Sequence, residues 1–521
     1  MVCRGLRRDR VPTRRHLPGP ADSLLDALRH CAGGALFGSR AICPSRGQER
    51  DQPGHLSLFH PRRHLRNRRR RTVDRSLAGR EQPTDGGCTM TGMASMILGI
   101  MLLLLLGGFP MMVPLAAATL AVLVVFFSGD VTPAIIIQQW IGGITPSALI
   151  AVPMFILAAD VMTRGQAAGR LLDAVAAFVG HVRGGLPMTT AVSCALFGAM
   201  SGSTQATVVA IGGPLRPRLL AAGYSQSFST SLIINASDVA LLIPPSIGMI
   251  VYGVVSGTSI GELFIAGVGP GLLILVLFCG YCRVASIGMD SAVEPASWPQ
   301  RWMALRRALF PLGFPAVVMG GIYSGIFSPT EAAAVCVLYA VFLEVVIYRE
   351  MTLSMLPRIA LSTGLVTAVV FVLVGAGAAF SWVISFAQIP QALLTETLGL
   401  TAESGYWSIM TSISIAFFVG CMFVDPIVVI LILTPIFHPI AVAAGIDPVL
   451  VGVAVTLQVA IGSATPPFGC DIFTAVAVFG RPYAEVIRGT PPFIVMLLAV
   501  AVALVAFPPL ALFLRDLAFP G

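Results

Sequence analysis

Residues 96–127 read MILGIMLLLLLGGFPMMVPLAAATLAVLVVFF, a run without one charged side chain. A helix crosses the hydrocarbon core of a bilayer with roughly 20 such residues. Further apolar runs follow at about 145–163, 186–213, 227–257, 263–282, 308–327, 329–348, 359–385, 405–446, 449–479 and 492–514. In lipid every backbone amide must be satisfied inside the protein, which leaves helices as the natural spanning element. Composition agrees: the chain is 56% hydrophobic and 11% charged, whereas soluble domains hold about 25% charged residues. The expected fold class is an all-α polytopic membrane protein.

Charge divides the chain near residue 90. Residues 1–89 hold 19 Arg and 8 acids, a balance of +11, and residues 90–521 hold 14 Arg and 17 acids, a balance of −3. No Lys occurs. Segment 1–89 includes RRHLRNRRRR (62–71) and has no sustained apolar period. We expect it to be disordered, or upstream of the true start, with Met90, Met93 and Met96 as candidate first residues. The other reading is a basic arm for nucleic acid or anionic lipid. The membrane region is then 90–521, and nothing in it suggests nucleic-acid binding.

Two of the apolar runs carry paired prolines, LLIPPS (241–246) and SATPPFG (463–469). Proline lacks an N–H and clashes with the preceding helical turn, so each pair breaks its helix. One constant offset along the chain takes Pro244 to Pro466 and Pro245 to Pro467. The same offset relates Met200 to Met422, Pro217 to Pro439, Ala221-Ala222-Gly223 to Ala443-Ala444-Gly445, Gly267 to Gly489 and Pro270 to Pro492. The chain therefore reads as two repeats, about 96–287 and 305–521.

The arginines orient them. Arg164, Arg170, Arg183, Arg216, Arg218, Arg283, Arg301, Arg306, Arg307, Arg349, Arg358, Arg481 and Arg488 fall between apolar runs, and the external loops near 128–144, 258–262 and 386–404 hold none. The positive-inside rule places all thirteen in the cytoplasm if runs 186–213 and 405–446 enter and return as re-entrant hairpins. Five crossings then separate the copies, so the repeats are inverted. Inverted repeats with interrupted helices mark secondary transporters, whose sites form near the bilayer midplane.

At a helix break, bare carbonyls face cations and bare N–H groups face anions. The breaks and hairpin tips supply the candidates. GAMSGSTQAT (198–207) offers Ser201, Gly202, Ser203 and Thr204. NASDVALLIPPS (235–246) offers Asn235, Asp238, Pro244, Pro245 and Ser246. GCMFVDPIVV (420–429) offers Asp425, suited to a helix N-cap, and Pro426 at the first helical position. LQVAIGSATPPFG (457–469) offers Gln458, Ser463, Thr465, Pro466, Pro467 and Gly469. Two readings of Asp238 stay open: a cation or proton site, or a carboxyl neutralised by a helix N-terminus or by Ser237. Ser328, Pro329 and Glu331 have the spacing of a capping box. Residues 168–185 read as an amphipathic arm along the inner interface. Asp238 and Asp425 are the one acid pair an enzyme reading could use, and no nucleophile elbow, HExxH or P-loop accompanies them. The chain is not expected to be an enzyme or to carry a cofactor.

From about residue 93 onward the chain resembles the large membrane subunit of TRAP transporters (tripartite ATP-independent periplasmic, DctM-like). The resemblance rests on SGSTQATVVAIG, LLIPPSIGMIVYG, GGIYSGIFSPTEAAAV, FVDPIVVILILTPI, GIDPVLVGV and IGSATPPFG. It implies an elevator-type transporter of ion-transporter-like fold in the bacterial inner membrane. It also implies Na+-coupled symport of an organic acid, dicarboxylates included. A DctQ-like small membrane subunit and a DctP-like periplasmic solute-binding protein would be its partners. By motif, Ser201–Thr204, Pro244–Ser246, Asp425–Pro426 and Thr465–Pro467 would line ion and substrate sites, with Na+ at Ser201, Ser203 and Thr465. Asn235, Asp238 and Gln458 depart from the family pattern, which leaves the ion and its stoichiometry open. The alternative is a stand-alone ion-coupled anion symporter or exchanger without a binding protein.

Overall fold

A computed structural model describes residues 86–127, 132, 134–288, 295–389, 399–401 and 403–519, all helix or connecting loop with no strand among them. The expectations for segment 1–89 lie outside the described residues, except that 86–89 open the first helix. α1 (Gly86–Leu106) and α2 (Met112–Phe126) pack on each other, so the apolar run 96–127 is two helices and not one. The turn uses Gly108 at φ +76° followed by Pro110, which cannot donate to a continuing helix. The expected external loop 128–144 also contains a helix, α3 (Ala134–Ile144), too short to span but apolar enough to pack. α4 (Ala151–Arg164) leads to α5 (Ala167–Val179), the expected amphipathic arm. The carboxylate of Glu344 accepts from the backbone N–H of Gln166 and of Ala167, both at 3.3 Å, and so caps α5 from elsewhere in the chain.

The first proline-broken unit follows. α6 (Gly185–Ser201) and α7 (Thr204–Ala221) form a helical hairpin whose tip is Gly202 and Ser203. Ser203 caps α7 by accepting from Ala206 N–H. α8 (Gln226–Ser237) runs into a 3-10 turn, Asp238–Leu241, so the regular helix ends several residues before the prolines. The chain resumes as α9 (Ile247–Ser256), capped by Ser246 through Met249 N–H, and then α10 (Ile260–Ala285). α11 (Trp298–Tyr323), α12 (Pro329–Val341) and α13 (Leu356–Phe386) separate the two units. Ser328 and Glu331 make the expected capping box at the start of α12. α13 packs along α2, α3 and α4.

The second unit repeats the first. α14 (Tyr406–Phe423) and α15 (Pro426–Ala443) form a hairpin, and α16 (Pro448–Ser463) breaks before α17 (Cys470–Phe479). α18 (Tyr483–Ile487), α19 (Pro491–Ala506) and α20 (Pro509–Ala518) complete the chain. α7 and α15 begin and end at the offset that relates the two proline pairs. Their N-caps, Ser203 and Asp425, and those of α8 and α16, Ser225 and Asp447, keep that offset. Gly223 and Gly445 both adopt positive φ after the hairpins, and both proline pairs hold a cis bond.

The sorting of side chains identifies the solvent. Leu98, Leu103, Leu338, Leu361 and Leu365 are each 60% or more exposed, while Thr190, Thr207, Ser229, Ser231, Asn235, Ser237, Asp238 and Asp471 are 0% exposed. Apolar outside with hydroxyls and acids inside suits a bilayer, where polar groups must find partners within the protein. Among the described residues seven helices are long and apolar enough to cross it, or eight if α19 and α20, bent by 62°, form one span.

Candidate functional site

The two hairpin tips and the first break converge. Gln205 Nε2, in the first turn of α7, donates to Asp425 Oδ2 at 3.5 Å, linking the tips across the unit boundary. Each break also bonds its own unit's hairpin tip: Ile247 N–H donates to Gly202 O at 3.3 Å, and Phe468 N–H to Met422 O at 3.2 Å. The two tips and the first break line a cavity of about 40 Å³, bounded by Gly202, Ser203, Thr204, Gln205, Asp425 and Pro426, with residues of the first break. Ligand pockets run from about 300 Å³ upward. The space between the tips is therefore too small for an organic solute.

Behind the cavity lies an acid absent from the sequence-based candidates. Asp471, in the first turn of α17, is 0% exposed and accepts from Thr204 Oγ1 at 2.8 Å and from Ser463 Oγ at 2.7 Å. Thr204 thus lines the cavity on one side and holds Asp471 on the other. The pairing of Asp238 with Asp425 that an enzyme reading would need does not form. Asp238, in the 3-10 turn after α8, is wholly buried, and neither of its carboxyl oxygens has a hydrogen-bond partner. Nor does Ser237 neutralise Asp238, since its hydroxyl donates to Ile233 O at 2.7 Å. Asp471 carries the same sequence signal as Asp238, a carboxylate within an apolar segment of membrane length.

Asp425 caps α15 through Ile427 N–H at 3.0 Å, with Pro426 at the first helical position. Ser201 bonds Thr207 at 3.1 Å, inside the first hairpin. Thr465 Oγ1 donates to Ile461 O at 2.6 Å. Its one hydrogen is spent, so its lone pairs are left for a cation or a donor. Gly469 allows the close second break, where a Cβ would collide with Ser463 O. Pro244, Pro245, Pro466 and Pro467 lie within the breaks as expected. Asn235 Nδ2 donates to Ser231 O, and its Oδ1 is buried without a donor. Gln458 lies apart from the tip cavity, in an apolar groove with Trp407, Phe418 and Leu498, because its position on α16 faces α14 and α19. Among the described residues no cluster of His, Cys, Asp or Glu could hold a metal ion by itself.

Residues 98–510 match the family described as "Tripartite ATP-independent periplasmic transporter, DctM component". The chain belongs to the DctM family of TRAP large permeases. Over 428 residues, 82% of this chain and 100% of the relative, it is 64% identical to the ectoine/5-hydroxyectoine TRAP transporter large permease protein UehC of Ruegeria pomeroyi. It is 63% identical over the same length to the ectoine TRAP transporter large permease protein TeaC of Halomonas elongata, with the same coverage. Over 372 residues, 71% of this chain and 86% of the relative, it is 39% identical to the C4-dicarboxylate TRAP transporter large permease protein DctM of Pseudomonas aeruginosa. A DctM subunit is a multi-pass permease and not an enzyme. The cavity between the tips brings residues of both repeats and an acid, Asp425, together.

Proposed function

We propose that this DctM subunit imports ectoine or 5-hydroxyectoine by Na+-coupled, elevator-type symport in the inner membrane, with a small membrane subunit and a periplasmic solute-binding protein. The observation that carries this reading is the junction of the two repeats at one small cavity, Gln205 to Asp425. Substrate class rests on the relatives: those at 64% and 63% identity are named for ectoine, and the one at 39% for C4-dicarboxylates. In this reading Ser201, Ser203 and Thr465 contribute to Na+ sites.

Uptake of labelled ectoine into proteoliposomes holding the assembled complex tests it. Uptake should require both a Na+ gradient and the binding protein. Ser203→Ala and Thr465→Ala should each raise the half-saturating Na+ concentration about tenfold, equivalent to about 1.4 kcal/mol. Unchanged Na+ dependence in both would overturn the assignment, and uptake without the binding protein would favour a stand-alone symporter.

Inversion of the repeats has its own check. Ala221 and Ala443 end the two hairpins and are both exposed. Single cysteines there, with other accessible thiols removed, should react with an impermeant reagent from opposite faces of the membrane. Reaction from one face would contradict the re-entrant, inverted arrangement.

A further inference from the structure

Three helix ends meet at one corner of the bundle, and each brings arginine. α5 is followed by His181, Arg183 and Gly184, α10 carries Arg283 in its last turn, and α11 opens with Trp298, Arg301 and Trp302. Gly184, at φ +74°, approaches α10 so closely that a Cβ would lie 2.7 Å from Cys282 O and 3.1 Å from the Cα of Arg283. Arg301 Nη2 donates to His181 Nε2 at 3.5 Å, which ties the start of α11 to the end of α5. Arg301 and His181 are half-buried, and Arg183, Arg283, Arg306 and Arg307 are exposed. The positive-inside rule assigns all five arginines to the cytoplasmic face.

The corner holds donors and positive charge in excess. With Nε2 accepting from Arg301, the His181 hydrogen sits on Nδ1. That N–H is buried without an acceptor, and so is the Nε–H of Arg301. Among the described residues every side-chain ion pair involves Arg515, so none of the five arginines is paired. The sequence from Arg283 to Arg307 has four arginines against two acids, Asp290 and Glu294. A cluster of guanidinium groups with unused donors is best completed by an anionic acceptor.

α11 shows what kind of anion fits. Trp298, Trp302, Arg306 and Leu309 recur at helical spacing along one face, and all four are exposed. Exposed tryptophan belongs at the headgroup level of a bilayer, and exposed leucine among the acyl chains. Arg306 lies about two turns into the helix. Its guanidinium reaches back over Trp302, 5.3 Å from the ring centroid, which returns the charge to the headgroup level. The guanidinium of Arg301 lies 5.5 Å from the centroid of Trp298. A soluble anion has no use for the apolar face beside this charge. A phospholipid uses both.

We propose that the ends of α5 and α10 and the start of α11 form a binding site for an anionic phospholipid of the cytoplasmic leaflet. Arg301 and Arg306, with the exposed arginines beside them, hold its phosphate, and its chains lie along the face from Trp302 to Leu309. The site is independent of which solute the permease carries.

Tryptophan quenching in the full chain tests it. The protein is placed in nanodiscs of phosphatidylcholine that contain a minor fraction of either brominated phosphatidylglycerol or brominated phosphatidylcholine. Bromine on the acyl chains quenches tryptophan at short range. At equal mole fraction the brominated phosphatidylglycerol should quench wild type more strongly, and the excess should saturate. Replacing both reporters, Trp298→Phe with Trp302→Phe, should abolish the excess. Its persistence would place the lipid elsewhere and overturn the proposal. Arg306→Gln should raise the half-saturating fraction about fivefold, the effect of one basic residue at an anionic surface. Arg306→Lys should restore most of the loss. Arg306 is exposed, so these variants leave the core undisturbed. Arg488→Gln, at another exposed arginine assigned to the same face, should match wild type. Equal weakening by Arg306→Gln and Arg488→Gln would mean diffuse surface charge and no site. Equal quenching of wild type by the two brominated lipids would also overturn the proposal. So would abolition of the excess by inorganic phosphate at constant ionic strength, which would make the occupant a soluble anion.

Discussion

Gly202→Ala is expected to lower the proposed ectoine uptake at least tenfold while the protein still folds. Gly202 stands at φ +61°, a conformation that L side chains adopt only at a cost. A Cβ there would also lie 2.5 Å from the carbonyl oxygen of Pro245. That oxygen belongs to the first break, so relief requires the hairpin tip to move away from it. The move would weaken the 3.3 Å bond from Ile247 N–H to Gly202 O and displace Ser203 and Thr204. Strain of this kind is worth about 1–3 kcal/mol. Gly213→Ala, on the same hairpin, serves as the control, because its Cβ would meet nothing within 4 Å. It should transport as wild type does. Wild-type uptake by Gly202→Ala would show that the tip does not need its close approach to the break.

Glu344→Ala is expected to loosen α5 without touching the tip cavity. Glu344 is 0% exposed, and its carboxylate is the acceptor for two N–H groups at the start of α5. Its removal leaves those donors without their partner and empties the space the carboxyl filled, where Gly165 already leaves no room for a Cβ. Loss of a cap costs about 0.5–2 kcal/mol, and hydrogen bonds to a charged group are worth about 1.5–3 kcal/mol. The expected loss is about 2 kcal/mol, read as faster amide hydrogen exchange in the first turn of α5 at unchanged exchange in α16. The stacking of Arg170 over Tyr348, 3.5 Å from the ring centroid, should keep the arm attached. Equal protection in variant and wild type would mean that the cap contributes nothing.

Much of the fold is legible in the sequence because the constraints behind it are local. Paired prolines stop a helix wherever they stand, so both breaks can be placed without a structure. Ser328 with Glu331, and Asp425 with Pro426, state their capping roles within a single helical turn. The differences arise where local signals run short. Gly108 and Pro110 turn a run that hydropathy alone reads as one span. The segment 134–144 reads as loop because it is too short to cross a membrane, yet α13 offers it a surface to pack on. Gln458 resembles a site residue by its nearness to Thr465. Helical rotation decides which way it faces, and it faces α14 and α19.

The amino-acid sequence by itself determined the solvent of this protein, the two fractured helices and the constant offset between them. Each follows from hydropathy or from the covalent geometry of proline, which act on neighbours along the chain. Only the tertiary structure decided that Asp471 holds Thr204, and that Gln205 reaches across to the second hairpin. In both cases the partners belong to different repeats, with α11, α12 and α13 between them in the chain. Which buried groups meet is set by how whole helices rotate and pack, and no pattern within one helix records that.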